Sequence, residues 1–237
     1  KPLTDAPGSG MHIHQSLFDS KGNNAFFDSN DPDGFNLSEL AKHYIAGLLK
    51  YAPEYCLLTN PCINSYKRLV PGGEAPVHIT WARNNRSALV RIPGYKPHKE
   101  EACRVELRCP DPSANPYLAF SAVLAAGLKG IEDKLPLQDS IEDSDWSHLS
   151  RQDLHARGVE TLPDTLGEAV ERFANSQLMK EVLGAMNIPI YECEGWEADD
   201  ILGTVGEICT REGDDCVIVT GDRDSLQLVS EHVTVKL

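Results

Sequence analysis

Residues 103–109, CRVELRC, alternate charged and apolar side chains with a period of two. Such a stretch reads as a strand with Arg104, Glu106 and Arg108 on one face and Val105 and Leu107 on the other. Two guanidiniums and a carboxylate are costly in a dry core. The strand therefore borders a solvated cleft that takes charged ligands, or it forms the exposed face of an antiparallel sheet.

Its surroundings bear on that choice. GMHIHQSLF (10–18) also alternates, placing His12, His14 and Ser16 on one face and Met11, Ile13 and Leu17 nearer the other. PVHITWA (76–82) and SALVRI (87–92) read as two more strands about a short polar turn, Arg83-Asn84-Asn85. From Ser38 an amphipathic helix carries Leu40, Ala41, Tyr44, Ile45, Leu48 and Leu49 at helical spacing. Residues 115–131 are apolar nearly all round and predict a buried helix. Thr165 with Glu168 three positions on has the spacing of a capping box. Residues 26–36 read as loop, and 134–163 as polar and irregular.

Five arginines (68, 86, 91, 104 and 108), His12, His14, Glu74 and Glu106 fall in four of these segments. Guanidinium forks suit phosphates and carboxylates, while His and Glu suit a divalent ion. The loop YKRLVPGGEAP (66–76) adds glycines that let backbone approach a ligand closely. Paired strand histidines also occur as plain solvated surface, so the residues alone leave that alternative open.

Charge is unevenly placed. The 237 residues carry 22 basic and 36 acidic side chains, a net of −14. The last 51 account for −9 of this with only 3 basic groups, a break that suggests two units with different jobs. The acidic balance argues against a broad basic surface for nucleic acid or anionic lipid. No apolar run approaches the ~18 residues of a membrane span, and nothing at the N-terminus reads as a signal peptide. Seven cysteines without a CxxC pair argue against a disulfide framework or zinc ribbon, and for a reducing, cytoplasmic setting.

GSGMHIHQSLF (8–18), NPCINSYKRLVPGGEAPVHITWARNNRSALVRIP (60–93) and RVELRCPDPSANPYLAFSAVLAAGLKGI (104–131) resemble the C-terminal half of the catalytic domain of bacterial glutamine synthetases. The resemblance covers about residues 1–183. It implies ATP-dependent ligation of ammonia to glutamate through γ-glutamyl phosphate, with Mg2+ or Mn2+, in a homo-oligomer. By motif, His12 and Glu106 are similar to metal ligands, and His14 and Ser16 to ATP contacts. Arg68 and Arg108 are similar to the clamp on the glutamate carboxylate. Arg86, Arg91 and Arg104 are similar to the arginines on the ATP phosphates and the transferring phosphoryl group. Glu74 is similar to the loop carboxylate that takes a proton from ammonium. Pro7 stands where the family usually has Asn, and Gly73 where Tyr is common, so the acid subsite and the flap depart from the pattern. DWSHL (145–149) lacks the tyrosine that some members modify. The family's small N-terminal domain and its remaining metal carboxylates would precede Lys1.

In the tail, IPIYECE (188–194), EADDILGTVGEICTREG (197–213) and CVIVTGD (216–222) read as strand, helix, strand, a βαβ unit, followed by a short helix at 224–230 and a strand at 233–237. That topology would bring Glu197, Asp199, Asp200, Asp222 and Asp224 to one sheet edge, where divalent cations would relieve their repulsion. Capping of helix N-termini would account for one or two of them. GWEADDILGT and VIVTGDRDSLQLVS resemble the 5′-nuclease domain of bacterial DNA polymerase I, which implies magnesium ligands at those five carboxylates and DNA as partner. The expected fold is thus α+β, an antiparallel sheet with helices behind it over residues 1–183, joined within about 180–187 to a small α/β fragment over 184–237.

Overall fold

A computed structural model describes residues 3, 6–142, 151–156 and 158–236. The chain forms two compact units, Lys1–Met186 and Asn187–Leu237. Both helices and strands are present in each, so the α+β class is observed. The stretch 145–149, with its expected lack of a modifiable tyrosine, lies outside the described residues.

In the first unit, β1 (Ile13–Gln15), β2 (His78–Ala82), β3 (Ala88–Arg91) and β4 (Val105–Leu107) form one sheet in the order β1-β4-β3-β2. β4 is antiparallel to both β1 and β3. β2 and β3, however, run parallel, with Trp81 opposite Val90 and Ala82 opposite Arg91. The sheet is therefore mixed, which corrects the expected antiparallel sheet, and the short polar turn Arg83-Asn84-Asn85 joins two strands that run the same way. Those polar residues are drawn away from the sheet instead. Glu142 accepts from the amides of Arg83 (2.7 Å) and Asn84 (2.9 Å), and the Asn85 side chain donates to the Ile141 carbonyl (3.1 Å).

Alternation works as the pattern predicts on β4: Val105 and Leu107 are fully buried and join Leu89 and Val90 of β3 in the core. Behind them packs α1 (Glu39–Lys50), capped by Ser38, whose hydroxyl accepts from the Ala41 amide at 3.1 Å. Two short helices follow, α2 (Ala52–Thr59) and α3 (Ile63–Tyr66), then α4 (Pro116–Glu132). α1 and α4 cross at Gly47, Gly127 and Gly130, where an added Cβ would run into Ala126 backbone, the Tyr44 ring and His43 backbone respectively. α5 (Arg151–Ala156), α6 (Leu166–Ala174) and α7 (Gln177–Ala185) complete the unit. Thr165 caps α6 at the Glu168 amide (3.1 Å), and the Glu168 side chain returns to the amide of Asp164 (3.0 Å).

α4 departs from its expected full burial. Tyr117, Phe120, Leu124 and Leu128 form an exposed stripe along it, because α1, α2 and α7 cover only its other faces.

In the second unit, α8 (Ala198–Glu212) packs on β5 (Cys216–Val219) and β6 (Val233–Lys236), which pair in parallel through a 3₁₀ turn at Asp224–Leu228. Residues 188–194 are not a strand, which corrects the βαβ expectation. Pro189 removes a ladder donor between Ile188 and Ile190, and Tyr191 is exposed. Among the described residues, no helix is long and apolar enough to cross a membrane.

Candidate active site

The sheet register builds the site. It sets His14 of β1 and Arg91 of β3 on either side of Glu106 of β4, and directly opposed residues share a face. Glu106 is nearly inaccessible, yet it is surrounded by cationic or ionisable groups. Its Oε2 accepts from Arg91 Nε at 2.5 Å. Its Oε1 lies 3.0 Å from His12 Nδ1, 3.4 Å from Arg108 Nη1 and 3.9 Å from His14 Nε2. Along the same face Arg104 donates to His14 Nδ1 (3.2 Å), while the Ser16 hydroxyl donates to the Cys103 carbonyl (3.0 Å).

Burial alone would raise the Glu106 carboxyl, but the Arg91 hydrogen bond and the charges of Arg108 and Arg91 outweigh it and hold the group below its usual value. For His12, burial and then Arg108 push the imidazole down, against the pull of Glu106. At neutral pH the pair is thus a carboxylate beside a neutral imidazole.

At the far end of β4, Arg68 is anchored on main chain. It donates to the carbonyls of Cys109 (2.7 Å) and Arg108 (3.4 Å). The same Cys109 carbonyl accepts from buried Asn60 (2.9 Å), which also reaches Asp111 (3.4 Å). Asn60 and Asp111 escaped the sequence reading; a polar pair flanking the strand's exit was the only signal.

His12, Arg68, Glu74, Arg86 and Arg108 line one cavity of about 890 Å³, with Pro7 at its wall. Gly10 keeps its floor open, because a Cβ there would come within 2.7 Å of Arg68 Nη2 and 3.3 Å of His12 Nε2. Arg108 Nε is buried with no hydrogen-bond partner among the described residues. The structure thus brings five expected site residues to one cavity. His14, Ser16, Arg91 and Arg104 sit on the adjoining β1, β3 and β4 segments.

An oxygen donor on Glu106 and a neutral His12 nitrogen match the chemistry of Mg2+ or Mn2+, so the pair fits as two ligands of such an ion. Among the described residues, no three His, Cys, Asp or Glu side chains gather into a set able to hold a metal. Glu197, Asp199, Asp200, Asp222 and Asp224 form no such set either among the described residues. Glu197 and Asp200 instead cap the start of α8 reciprocally, and Asp222 accepts from the Asp224 amide (2.9 Å). Asp199 lies half-buried in the first turn of α8, where its charge suits the helix dipole.

Residues 1–207 match the family described as "Glutamine synthetase, catalytic domain". The chain belongs to this family. It is 50% identical over 184 residues to the glutamine synthetase of Mycolicibacterium smegmatis, covering 78% of this chain and 40% of that protein. With the glutamine synthetase of Pyrococcus woesei it shares 46% identity over 200 residues, 84% of this chain and 43% of the relative. The chain therefore spans about two-fifths of the length of these glutamine synthetases. Among solved structures, one named "GmaS/ADP complex" aligns with a TM-score of 0.65 and 35% identity over 78% of this chain and 41% of that one. A "novel glutamine synthase homolog" aligns with a TM-score of 0.61 and 31% identity over 74% and 38%. The glutamine synthetase match runs past Met186 into α8.

Proposed function

We propose that the first unit forms the acid- and phosphate-binding part of a glutamine-synthetase-type ligase, which joins ammonia to glutamate at the expense of ATP in the cytoplasm. The observation that carries this is the cavity where Arg68, Arg86, Arg108, His12 and Glu74 converge beside Glu106. That a similar solved structure is an ADP complex supports nucleotide binding by this chain. Assembly with further copies of the chain belongs to the same proposal, by family.

The chemistry follows from charge. Arg68 and Arg108 hold the substrate carboxylate, the first fixed by two main-chain carbonyls and the second with a free Nε. His14, Ser16, Arg91 and Arg104 bind ATP along the sheet face, and Arg86 neutralises the charge of the phosphoryl group in flight to the γ-carboxylate. Phosphoryl transfer needs positioning and charge neutralisation more than covalent help. His12 and Glu106 would hold Mg2+ or Mn2+, which when bound supplies further positive charge at the phosphates. Glu74, on the loop at the cavity rim, takes a proton from ammonium so that ammonia can displace phosphate from the acyl phosphate.

The test compares ammonia with hydroxylamine, which is already neutral at pH 7. Glu74→Gln is expected to lower ammonia-dependent glutamine formation at least tenfold while sparing glutamyl hydroxamate formation, and Arg86→Ala to abolish both. Absence of any ATP-dependent product, together with no ADP binding in the presence of Mg2+, would overturn the proposal. A separate origin of residues 184–237 as a nuclease fragment has its sequence motifs in support, without a carboxylate group able to hold a metal among the described residues.

A further inference from the structure

Asn60 stands where α2 stops. Pro61 follows it and disfavours the helical conformation for the residue before it, so the chain leaves the helical region at Asn60 (φ −141°, ψ 67°). The Asn60 side chain is fully buried and held at both ends. Its Oδ1 accepts from the Thr59 hydroxyl (2.8 Å), and its Nδ2 donates to the Cys109 carbonyl (2.9 Å) and to Asp111 Oδ2 (3.4 Å). Asp111, also buried, accepts from the Ser113 amide (2.9 Å), and its own amide donates to the Thr59 carbonyl (3.2 Å). Because a carboxylate only accepts, this set fixes which end of the Asn60 amide faces the exit of β4.

The Cys109 carbonyl is also the shortest anchor of Arg68, whose Nη1 donates to it at 2.7 Å. One oxygen thus takes a hydrogen bond from Asn60 and another from Arg68. Among the described residues Arg68 makes no ion pair, so the two β4 carbonyls and packing hold its guanidinium. Gly8 lets its stem lie close, since a Cβ there would come within 3.2 Å of Arg68 Cδ.

We propose that Asn60 and Asp111 are positioning residues for the acid subsite: they fix the Cys109 carbonyl, which in turn aims Arg68 at the substrate carboxylate. The inference rests on the ligase reading above, in which Arg68 and Arg108 hold the glutamate carboxylate. Without Asn60 Nδ2 the carbonyl is left to Arg68 alone, and the guanidinium shifts with the peptide that carries it. A fork matched to a carboxylate loses its two-point geometry on a small rotation. The carboxylate in the clamp is not the one that is phosphorylated, so its contacts are alike in the ground and transition states. Misplacing Arg68 therefore weakens glutamate binding without slowing the chemical step.

The test follows phosphate release by the full chain with ammonia, at varied glutamate and at varied ATP. Asn60→Ala is expected to raise the glutamate KM about tenfold, with kcat and the ATP KM changed by less than about twofold. Asp111→Ala should act in the same direction. Arg68→Ala supplies the deciding background: its glutamate KM is already high, and adding Asn60→Ala should raise it no further. A further rise in that background, an unchanged glutamate KM in Asn60→Ala, or an equal rise in the ATP KM would overturn the proposal. Should Asn60→Ala fail to fold, Thr59→Val decides, because it keeps the side chain's shape and removes the hydroxyl that orients the Asn60 amide. A glutamate KM about threefold higher at an unchanged ATP KM supports the proposal, and an unchanged glutamate KM overturns it. A parent chain that releases no phosphate with glutamate, ATP and ammonia overturns the ligase reading and this inference with it. Turnover by the parent with a normal glutamate KM in the variants overturns this inference alone.

Discussion

His12 Nδ1 and Glu106 Oε1 stand 3.0 Å apart, an imidazole just ahead of β1 and a carboxylate on the antiparallel β4. Their protonation states decide what the pair can bind. Both groups titrate below their ordinary values in the folded chain, for the causes given above. Stability from each is therefore present above its unfolded value and is lost as pH falls, first through the His12 range below about 6.5 and then through the Glu106 range below about 4.3. Mn2+ affinity is expected to be level above pH 7 and to fall about tenfold per pH unit once His12 takes a proton. Calorimetric titration with Mn2+ between pH 5 and 8 checks this, and a flat profile would remove His12 from the ligand set.

Glu106 also holds the arginines together. Glu106→Gln is expected to cost about 3 kcal/mol, since Arg91 and Arg108 are left facing each other without their shared anion. Urea midpoints at pH 7 measure it, and an unchanged midpoint would show that solvent already screens the cluster.

The crossing of α1 and α4 yields a contrast between glycines. In a helix interior Gly→Ala ordinarily helps by about 0.5–1 kcal/mol. Gly184 in α7 has open space around it, so Gly184→Ala is expected to be neutral or stabilising. Gly130→Ala would drive a Cβ into the backbone of His43, and Gly127→Ala into the Tyr44 ring. Each is expected to destabilise by about 1–3 kcal/mol despite the better helix propensity. Thermal midpoints of the three variants give the ordering, and equal midpoints would mean that α1 and α4 can separate at little cost.

How far the sequence anticipated this architecture varies with the kind of signal. Period-two alternation placed Val105, Leu107, Glu106 and Arg108 correctly, because one strand's faces are decided locally. The partner of β2 was not legible, since nothing in Arg83-Asn84-Asn85 announces that Glu142, far along the chain, will take its amides. Apolar composition predicted burial for α4 but not which neighbours would cover it, and its Tyr117–Leu128 stripe stays exposed. The cavity residues were legible through family motifs, whereas Asn60 and Asp111 act through a carbonyl that no motif marks. In the tail, five carboxylates in sequence suggested metal, while local amides at α8 and the 3₁₀ turn satisfy several of them first.

Asp31 anchors the loop before α1. Its fully buried carboxylate accepts from the amides of Phe35 and Leu37 (3.0 Å each) and from Lys42 Nζ (2.9 Å). Burial would raise this carboxyl, but Lys42 and the amides outweigh it and lower it. Its stabilisation is thus full above the unfolded value near 3.9 and is lost as pH drops through the lower folded value. Asp31→Asn is expected to cost about 1–2 kcal/mol at pH 7, because Lys42 loses its buried anion but keeps Asp33 (2.6 Å) and Glu39 (3.2 Å). Between pH 4 and 2 the variant should lose less further stability than the parent. Parallel urea curves for the two chains would instead assign the acid sensitivity to other carboxylates.

The second unit opens on an irregular stretch. Residues 188–196 contain no strand or helix, and Tyr191 and Trp196 are 74% and 65% exposed. Proteases cleave where backbone can be drawn into their clefts without breaking packing. Brief chymotrypsin treatment is expected to cut first after Tyr191 or Trp196, ahead of Phe26, Tyr44 and Tyr55, which are buried. The larger fragment retains the whole first-unit core, including Met179 and Val182 of α7, and should keep its thermal transition and the ADP binding proposed for the intact chain. Loss of that transition on the first cut would mean that the first unit depends on residues beyond Met186 for its stability, in keeping with a family match that continues to residue 207.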